Sequence, residues 1–234
     1  GGASVRARTH FVVPAATMPA RGAQLSALLR TPAPANELPL RVATYSYAEP
    51  ASQALRLVIS AEAGSGGDGA PAWLGFVLID ANGVIAATAS AESASGRYAF
   101  SCVVPEGRYT LRAAAIDSLG RQGTVQRAFP AGIGGTSQVR IADLMLAPLP
   151  AAPADPLSPI VDRATGHALV AYVEFHAPSA QPVAVHVALA HRSSDAALVS
   201  AVAAVSRRAD GWATAQAVIP IAGLAAGEYV ARAN

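Results

Sequence analysis

Two stretches of this chain spell nearly the same strand. Pro105-Glu106-Gly107-Arg108-Tyr109-Thr110-Leu111-Arg112-Ala113 returns as Gly227-Glu228-Tyr229-Val230-Ala231-Arg232-Ala233. Each copy follows a glycine-aromatic strand that closes on a β-branched residue and a proline, Gly96 to Pro105 and then Gly211 to Pro220. A repeat at this spacing is the mark of a duplicated structural unit. The chain must therefore fold as two related units, and every other segment has to fit around them.

The patterning between the repeats is that of strands. Apolar residues alternate with polar ones in 40–47, 54–62, 73–80, 84–89, 96–104, 108–116, 123–129 and 139–146, with Gly and Asp turns between them. Short strands at regular spacing predict a sandwich. A proline-rich stretch, 149–159, is read as a semi-rigid linker. Beyond it 168–176, 183–190, 198–206, 211–219 and 228–233 repeat the strand pattern. Ahead of the first sandwich, residues 3–13 alternate Val5, Ala7, Thr9 and Phe11 with Arg6, Arg8 and His10, which predicts a strand. Leu25, Leu28 and Leu29 sit at helical spacing and predict a short helix over 24–30. The expectation is an all-β chain of two tandem immunoglobulin-like β-sandwiches. Residues 1–36 form the N-terminal strand, short helix and linker, 37–147 the first sandwich, 148–158 the proline-rich linker and 159–234 the second sandwich.

The second sandwich is expected to be incomplete. Copy one runs on for tens of residues after Tyr109, whereas Asn234 follows Tyr229 by five. A missing last strand forfeits about three inward apolar side chains at roughly 1.5–3 kcal/mol each. That predicts a unit that is marginal alone, or a sheet edge open to pairing with another strand.

The repeated tyrosines have a structural reading. In sandwiches a tyrosine near the start of a late strand donates its hydroxyl to nearby backbone and pins the corner. Tyr109 and Tyr229 are assigned that role, with Gly107 and Gly227 before them as the residues that permit the turn.

Composition excludes several function classes. Hydrophobic content of 52% with 14% charge fills two cores and is far from the signature of disorder. The net charge is only +2, although the pI is near 9.0. Every basic residue is an arginine, and apart from Arg207-Arg208 they stand singly, so no stripe tracks a nucleic-acid backbone. The absence of lysine fits the codon bias of a GC-rich bacterial genome. No apolar run reaches the roughly 20 residues of a membrane span. No signal peptide follows Gly1, so the chain reads as a piece of a longer product. Cys102, the one cysteine, falls on the face of Tyr98 and Phe100 and reads as a buried structural thiol.

No grouping of reactive side chains stands out. Glu174 and His176 share a strand face, and His186 points outward on a strand expected beside it, but a solvated sheet face is the simpler reading than a metal site. His191 reads as a turn residue. Asp80 and Asp117 each head an Asp-x-x-Gly turn, and single aspartates bond their own backbone rather than calcium. Gly64 to Gly69 has glycine content but no phosphate-loop ending. No Gly-x-Ser-x-Gly elbow is present. Trp73 and Trp212 form a possible ligand platform for a sugar if they are exposed on one sheet face. The reading is of a non-enzyme with no cofactor, no metal and no catalytic residue.

The stretch Tyr109 to Val125, with Ala115-Ile116-Asp117-Ser118-Leu119-Gly120 inside it, resembles the F–G hairpin of bacterial immunoglobulin-like domains. More widely, Leu38 to Tyr45, Gly75 to Gly83, Pro105 to Asp117 and Leu144 to Leu146 resemble the β-rich region that follows the von Willebrand factor type A-related domain in acidobacterial proteins. Val5-Arg6-Ala7-Arg8 is similar to the basic strand leaving that A-type domain. The A-type domain's Asp-x-Ser-x-Ser motif is missing, so its metal-dependent adhesion is not implied here. The resemblance implies a non-catalytic structural or protein-interaction module of a larger exported bacterial protein. Its implied partners are an upstream A-type domain and an unknown protein ligand. A carbohydrate-binding sandwich using Trp73 or Trp212 is the alternative.

Overall fold

The computed structural model describes residues 20–30, 34–50, 52–64, 71–136, 138–152, 155–178 and 183–234. The strand expected at 3–13 and nearly all of the 64–69 loop lie outside them.

The first unit is a sandwich of seven strands: β1 (Leu40–Ala48), β2 (Leu55–Ala63), β3 (Ala72–Asp80), β4 (Ile85–Ser93), β5 (Arg97–Val104), β6 (Gly107–Asp117) and β7 (Gln122–Ala131). They form two antiparallel sheets in the orders β1-β2-β5 and β4-β3-β6-β7. The period-2 alternation decides which side chains meet between them. Leu55, Leu57 and Ile59 of β2 pack on Phe76, Leu78, Phe100, Leu111 and Phe129. Cys102 is partly buried against the same core. Asp80 and Asp117 do form the turns expected of them. Asp80 Oδ1 accepts from the amides of Asn82 and Val84, and Asp117 Oδ1 from those of Leu119 and Arg121.

Helix α1 (Ala20–Arg30) covers the outer face of β3 and β6. Leu25 and Leu29 pack on Ala114 and Ile116. Gly75 lies beneath them, and a Cβ there would stand 3.1 Å from both leucine side chains. A side chain there would press on both leucine tips and on the Ala89 carbonyl, so the glycine lets the helix sit close to the sheet.

A small hairpin, β8 (Gly134–Gly135) and β9 (Arg140–Ile141), leads to the second unit. This consists of β10 (Met145–Pro148), β11 (Ala168–His176), β12 (His186–Ala190), β13 (Val199–Val202), β14 (Ala204–Arg207), β15 (Trp212–Pro220) and β16 (Val230–Ala233). One sheet centres on β11, which pairs with β15 on one side and with β10 and β9 on the other, while β14 lies outside β15. The other sheet has the order β13-β12-β16. Val173, Phe175, Val187, Leu189 and Ile219, with many alanines, fill the core between them.

The boundary between the units differs from the sequence expectation. The stretch 139–146 was expected to close the first sandwich, and 148–158 to be the linker. Instead β9 and β10 bond to β11, with Leu146 opposite Ala171 and Ile141 opposite Phe175. Strand alternation reports that a strand exists, not which sheet it joins. The expected strand 198–206 also divides at Ala203: β13 joins β12, and β14 crosses to β15. His186 is not on a strand beside β11, because β12 belongs to the opposite sheet.

The outward residues of β2 meet the outward residues of β11, so the units stack face to face. The order of layers is α1, β4-β3-β6-β7, β1-β2-β5, the β11 sheet, then β13-β12-β16.

Candidate functional site

The repeated tyrosines make the same bond. Tyr109 donates its hydroxyl to the Pro105 carbonyl at 2.8 Å, and Tyr229 donates to Ala225 at 2.6 Å, four residues upstream in each case. Their surroundings differ. Tyr109 is buried beside Phe129, with ring centroids 6.3 Å apart. Tyr229 is half-buried and stacks on His191 at 5.0 Å.

Gly107 and Gly227 lie where the chain enters the tyrosine strands, but neither position demands a glycine. Neither has a left-handed backbone, and a Cβ on either would only touch the following tyrosine ring at 3.7–3.8 Å. The left-handed glycines of the repeat belong to the turns one strand earlier, which lead into β5 and β15. Gly96 has φ +66° and Gly211 φ +85°, a region that costs an L side chain roughly 1–2 kcal/mol. The repeat contained this signal too, since both glycines open the duplicated strand pair.

Trp73 and Trp212 are not brought together. Trp73 lies under helix α1 with the Arg21 guanidinium 4.8 Å from its ring. Trp212 is on the other sandwich, edge-on to His176 at 5.8 Å and near Arg140.

The densest polar arrangement is at the junction of the sandwiches. Glu174 was expected on a solvated face, yet it is completely buried, because the outer face of β11 lies against β1 and β2. Its Oε1 accepts from Arg56 Nη2 at 2.6 Å and from the Tyr172 hydroxyl at 2.7 Å. Its Oε2 accepts from Arg208 Nη1 at 3.4 Å. Arg208 in turn donates to both carboxylate oxygens of Asp210, at 3.2 and 2.7 Å. Two guanidinium groups thus face two carboxylates. Pairing of this kind is what makes a buried carboxylate tolerable.

Aromatic rings close the junction. Tyr47 and Tyr172 meet edge to face at 5.7 Å, and the Arg56 guanidinium lies 5.3 Å from the Tyr47 ring. Burial, with the Glu174 charge beside it, pushes the Tyr172 phenol far above its usual range. Burial raises Tyr47 as well, and its hydroxyl has no hydrogen-bond partner among the described residues. Further bonds fix the linker and the edge of β1. Tyr45 donates to the Ile160 carbonyl, Ser60 to the Pro159 carbonyl, and the Ser46 amide to Asp143 Oδ2 at 2.7 Å. Arg41 pairs with Asp162 at 3.1 Å.

Sequence reading missed Arg56, Tyr47, Tyr172 and Arg208. One signal was present: β11 reads Ala-Leu-Val-Ala-Tyr-Val before its glutamate, apolar on both faces. A strand apolar on both faces is covered on both faces.

Among the described residues no three of His, Cys, Asp and Glu gather into a metal-binding group, and no helix is long and apolar enough to cross a membrane. No protein-family model matches the chain, and no curated protein is significantly similar to it.

Proposed function

We propose that the chain is a non-catalytic structural module whose two sandwiches are locked into one rigid spacer. The observation that carries this reading is Glu174, fully buried at the junction and held by Arg56 from one sandwich and Arg208 from the other. A buried carboxylate with fixed donors accepts one geometry and penalises the rest. The carboxylates at the best-organised site are therefore used for holding, with their oxygens already bonded. The same reading takes each unit as immunoglobulin-like. It is supported by the paired tyrosine corners and by the way the strands divide between the sheets. It takes the protein as exported and bacterial, following an A-type domain and docking a protein ligand, on the sequence resemblance.

Spin-label distance measurement tests the rigid spacer. Val84→Cys and Val202→Cys place labels at exposed positions on the two sandwiches. A single narrow distance distribution is expected, broadening when Arg56 is replaced by alanine. A broad distribution in the parent protein overturns the reading.

A further inference from the structure

We propose that two copies of this chain join edge to edge along β4, antiparallel about a two-fold axis at Ser90. The proposal goes beyond the rigid spacer and does not depend on it, because β4 belongs to the sheet of the first sandwich farther from the junction.

The two sides of the first sandwich differ. On the β7 side the Thr124 amide bonds the Ala35 carbonyl at 2.8 Å, and the Leu38 amide bonds the Gln122 carbonyl at 2.9 Å. The neighbouring edge of β1 is held where the Ser46 amide bonds Asp143. On the opposite side, among the described residues, no backbone bond reaches the outer edge of β4. Asp80 donates its amide to the Val84 carbonyl at 2.9 Å. In an antiparallel ladder every second residue bonds the same neighbour, so Leu78, Phe76, Leu74 and Ala72 turn their backbone groups to β4 as well. Their partners there are Ala87, Ala89, Ala91 and Ser93. The amides and carbonyls of Thr88, Ser90 and Glu92, between those partners, therefore face the open edge.

Exposed edges are ordinarily blunted by lysine, proline, a bulge or a covering segment. The stretch 87–93 reads Ala-Thr-Ala-Ser-Ala-Glu-Ser and carries no lysine or proline. The register shift of this strand comes before it, opposite Leu78 and Ile79. The core is also open on this side. Ala87, Ala89 and Ala91 pack on it and are only half-buried. Tyr98, on the core-facing side of β5, stays exposed beside the Phe100 ring at 4.4 Å. The small side chains of β4 do not cover it, and a further strand would.

The occupant is a second copy because the stretch is complementary to itself. With Ser90 opposite its own copy, Thr88 falls opposite Glu92 of the partner copy, and Ala89 opposite Ala91. All three residues with free backbone groups then enter bonded pairs, and alanines meet on the core side. The two Glu92 residues stay four positions apart in register, about 13 Å. The charges also suit this alignment. Helix α1 runs from Arg21, over Trp73, past Gly75 beneath Leu25 and Leu29, and ends at exposed Arg30. That direction leads toward Val77, the residue opposite Thr88. Each Glu92 therefore arrives at the end of the sheet where the partner's helix finishes in an arginine. The sheet β4-β3-β6-β7 becomes one of eight strands, and the contact closes on itself as a pair.

Sedimentation of the whole chain should show a monomer–dimer equilibrium. Ser90→Lys sets two ammonium groups opposite each other on the axis and should leave only monomer. Ser90 is exposed and its amide faces away from β3, so the fold should be kept, which circular dichroism checks. Amide hydrogen exchange at Thr88, Ser90 and Glu92 should be slow in the parent and fast in Ser90→Lys. Ser90→Cys should give a linked pair on a non-reducing gel, since facing bonded residues stand about 5.5 Å apart at Cα, within disulfide range. Thr88→Cys, about 13 Å from its copy, should not. A parent chain that stays monomeric overturns the proposal, as do dimers that survive Ser90→Lys or that link equally well through Thr88→Cys. The inter-sandwich distance, measured with labelled chain diluted into unlabelled chain, should stay narrow in Ser90→Lys, so failure of the pairing and failure of the rigid spacer are read separately.

Discussion

Arg56 and Glu174 are 118 positions apart in the chain and 2.6 Å apart in space. The carboxylate is fully buried, while the arginine side chain keeps about a third of its surface in solvent. Removal of the arginine therefore leaves a buried charge with fewer donors. Loss of one partner of a buried pair costs about 3–5 kcal/mol, and the partial exposure of Arg56 together with the remaining Arg208 brings the expected loss for Arg56→Ala to about 2–3 kcal/mol. Replacing Arg56 and Glu174 with methionine and Tyr172 with phenylalanine together should cost less than Arg56→Ala alone, because Arg208 keeps Asp210 and neither an orphan charge nor an orphan hydroxyl remains. Chemical denaturation of the three proteins measures this.

Tyr47 and Tyr172 should respond in opposite ways to loss of the hydroxyl. The Tyr47 hydroxyl is buried and unbonded among the described residues, so Tyr47→Phe is expected to leave stability unchanged or raise it by about 1 kcal/mol. Tyr172 donates to a charged carboxylate, so Tyr172→Phe should lower stability by about 1.5–3 kcal/mol. Thermal unfolding of the two variants compares them directly.

The glycines of the repeat separate by backbone angle. Gly96→Ala and Gly211→Ala force a side chain into the left-handed region and should each cost about 1–2 kcal/mol. At Gly211 the new Cβ would also stand 3.0 Å from His176 Nε2. Gly107→Ala and Gly227→Ala should stay within about 0.5 kcal/mol of the parent. Equal losses at all four positions would contradict the assignment of the turns.

Cys102 provides a test by pH. Burial pushes its thiol from 9.0 up to about 11. The neutral form is favoured in the folded protein, so this contribution to stability is whole below about pH 9 and disappears as pH rises through 11. At pH 9 alkylation by iodoacetamide should be roughly fiftyfold slower in the folded protein than in denaturant, since the thiolate is the reacting form. Equal rates would show an exposed, ordinary thiol.

Much of the architecture could be read from local pattern. The repeated Tyr109 and Tyr229 announced the duplication, and both now bond the carbonyl four residues before them. Alternation located β1 to β7 to within a few residues, and the Asp80 and Asp117 turns were legible because an aspartate bonds its own neighbours. The glycines were less legible: Gly107 and Gly227 precede the tyrosine strands without a left-handed backbone, whereas Gly96 and Gly211 adopt one in the turns a strand earlier.

Sequence by itself determined that this is a duplicated chain of strands, since side-chain period, turn chemistry and corner tyrosines act over a few residues and leave a local record. Only the tertiary structure decided which sheet each strand enters and what its outer face meets. Strand 145–148 pairs with β11 through backbone groups that every residue carries, so no side chain advertises the choice. Glu174 looks like a solvent-facing residue in an alternating strand. It becomes the keystone of the junction because a second sandwich, folded from residues more than a hundred positions away, presents Arg56 to it.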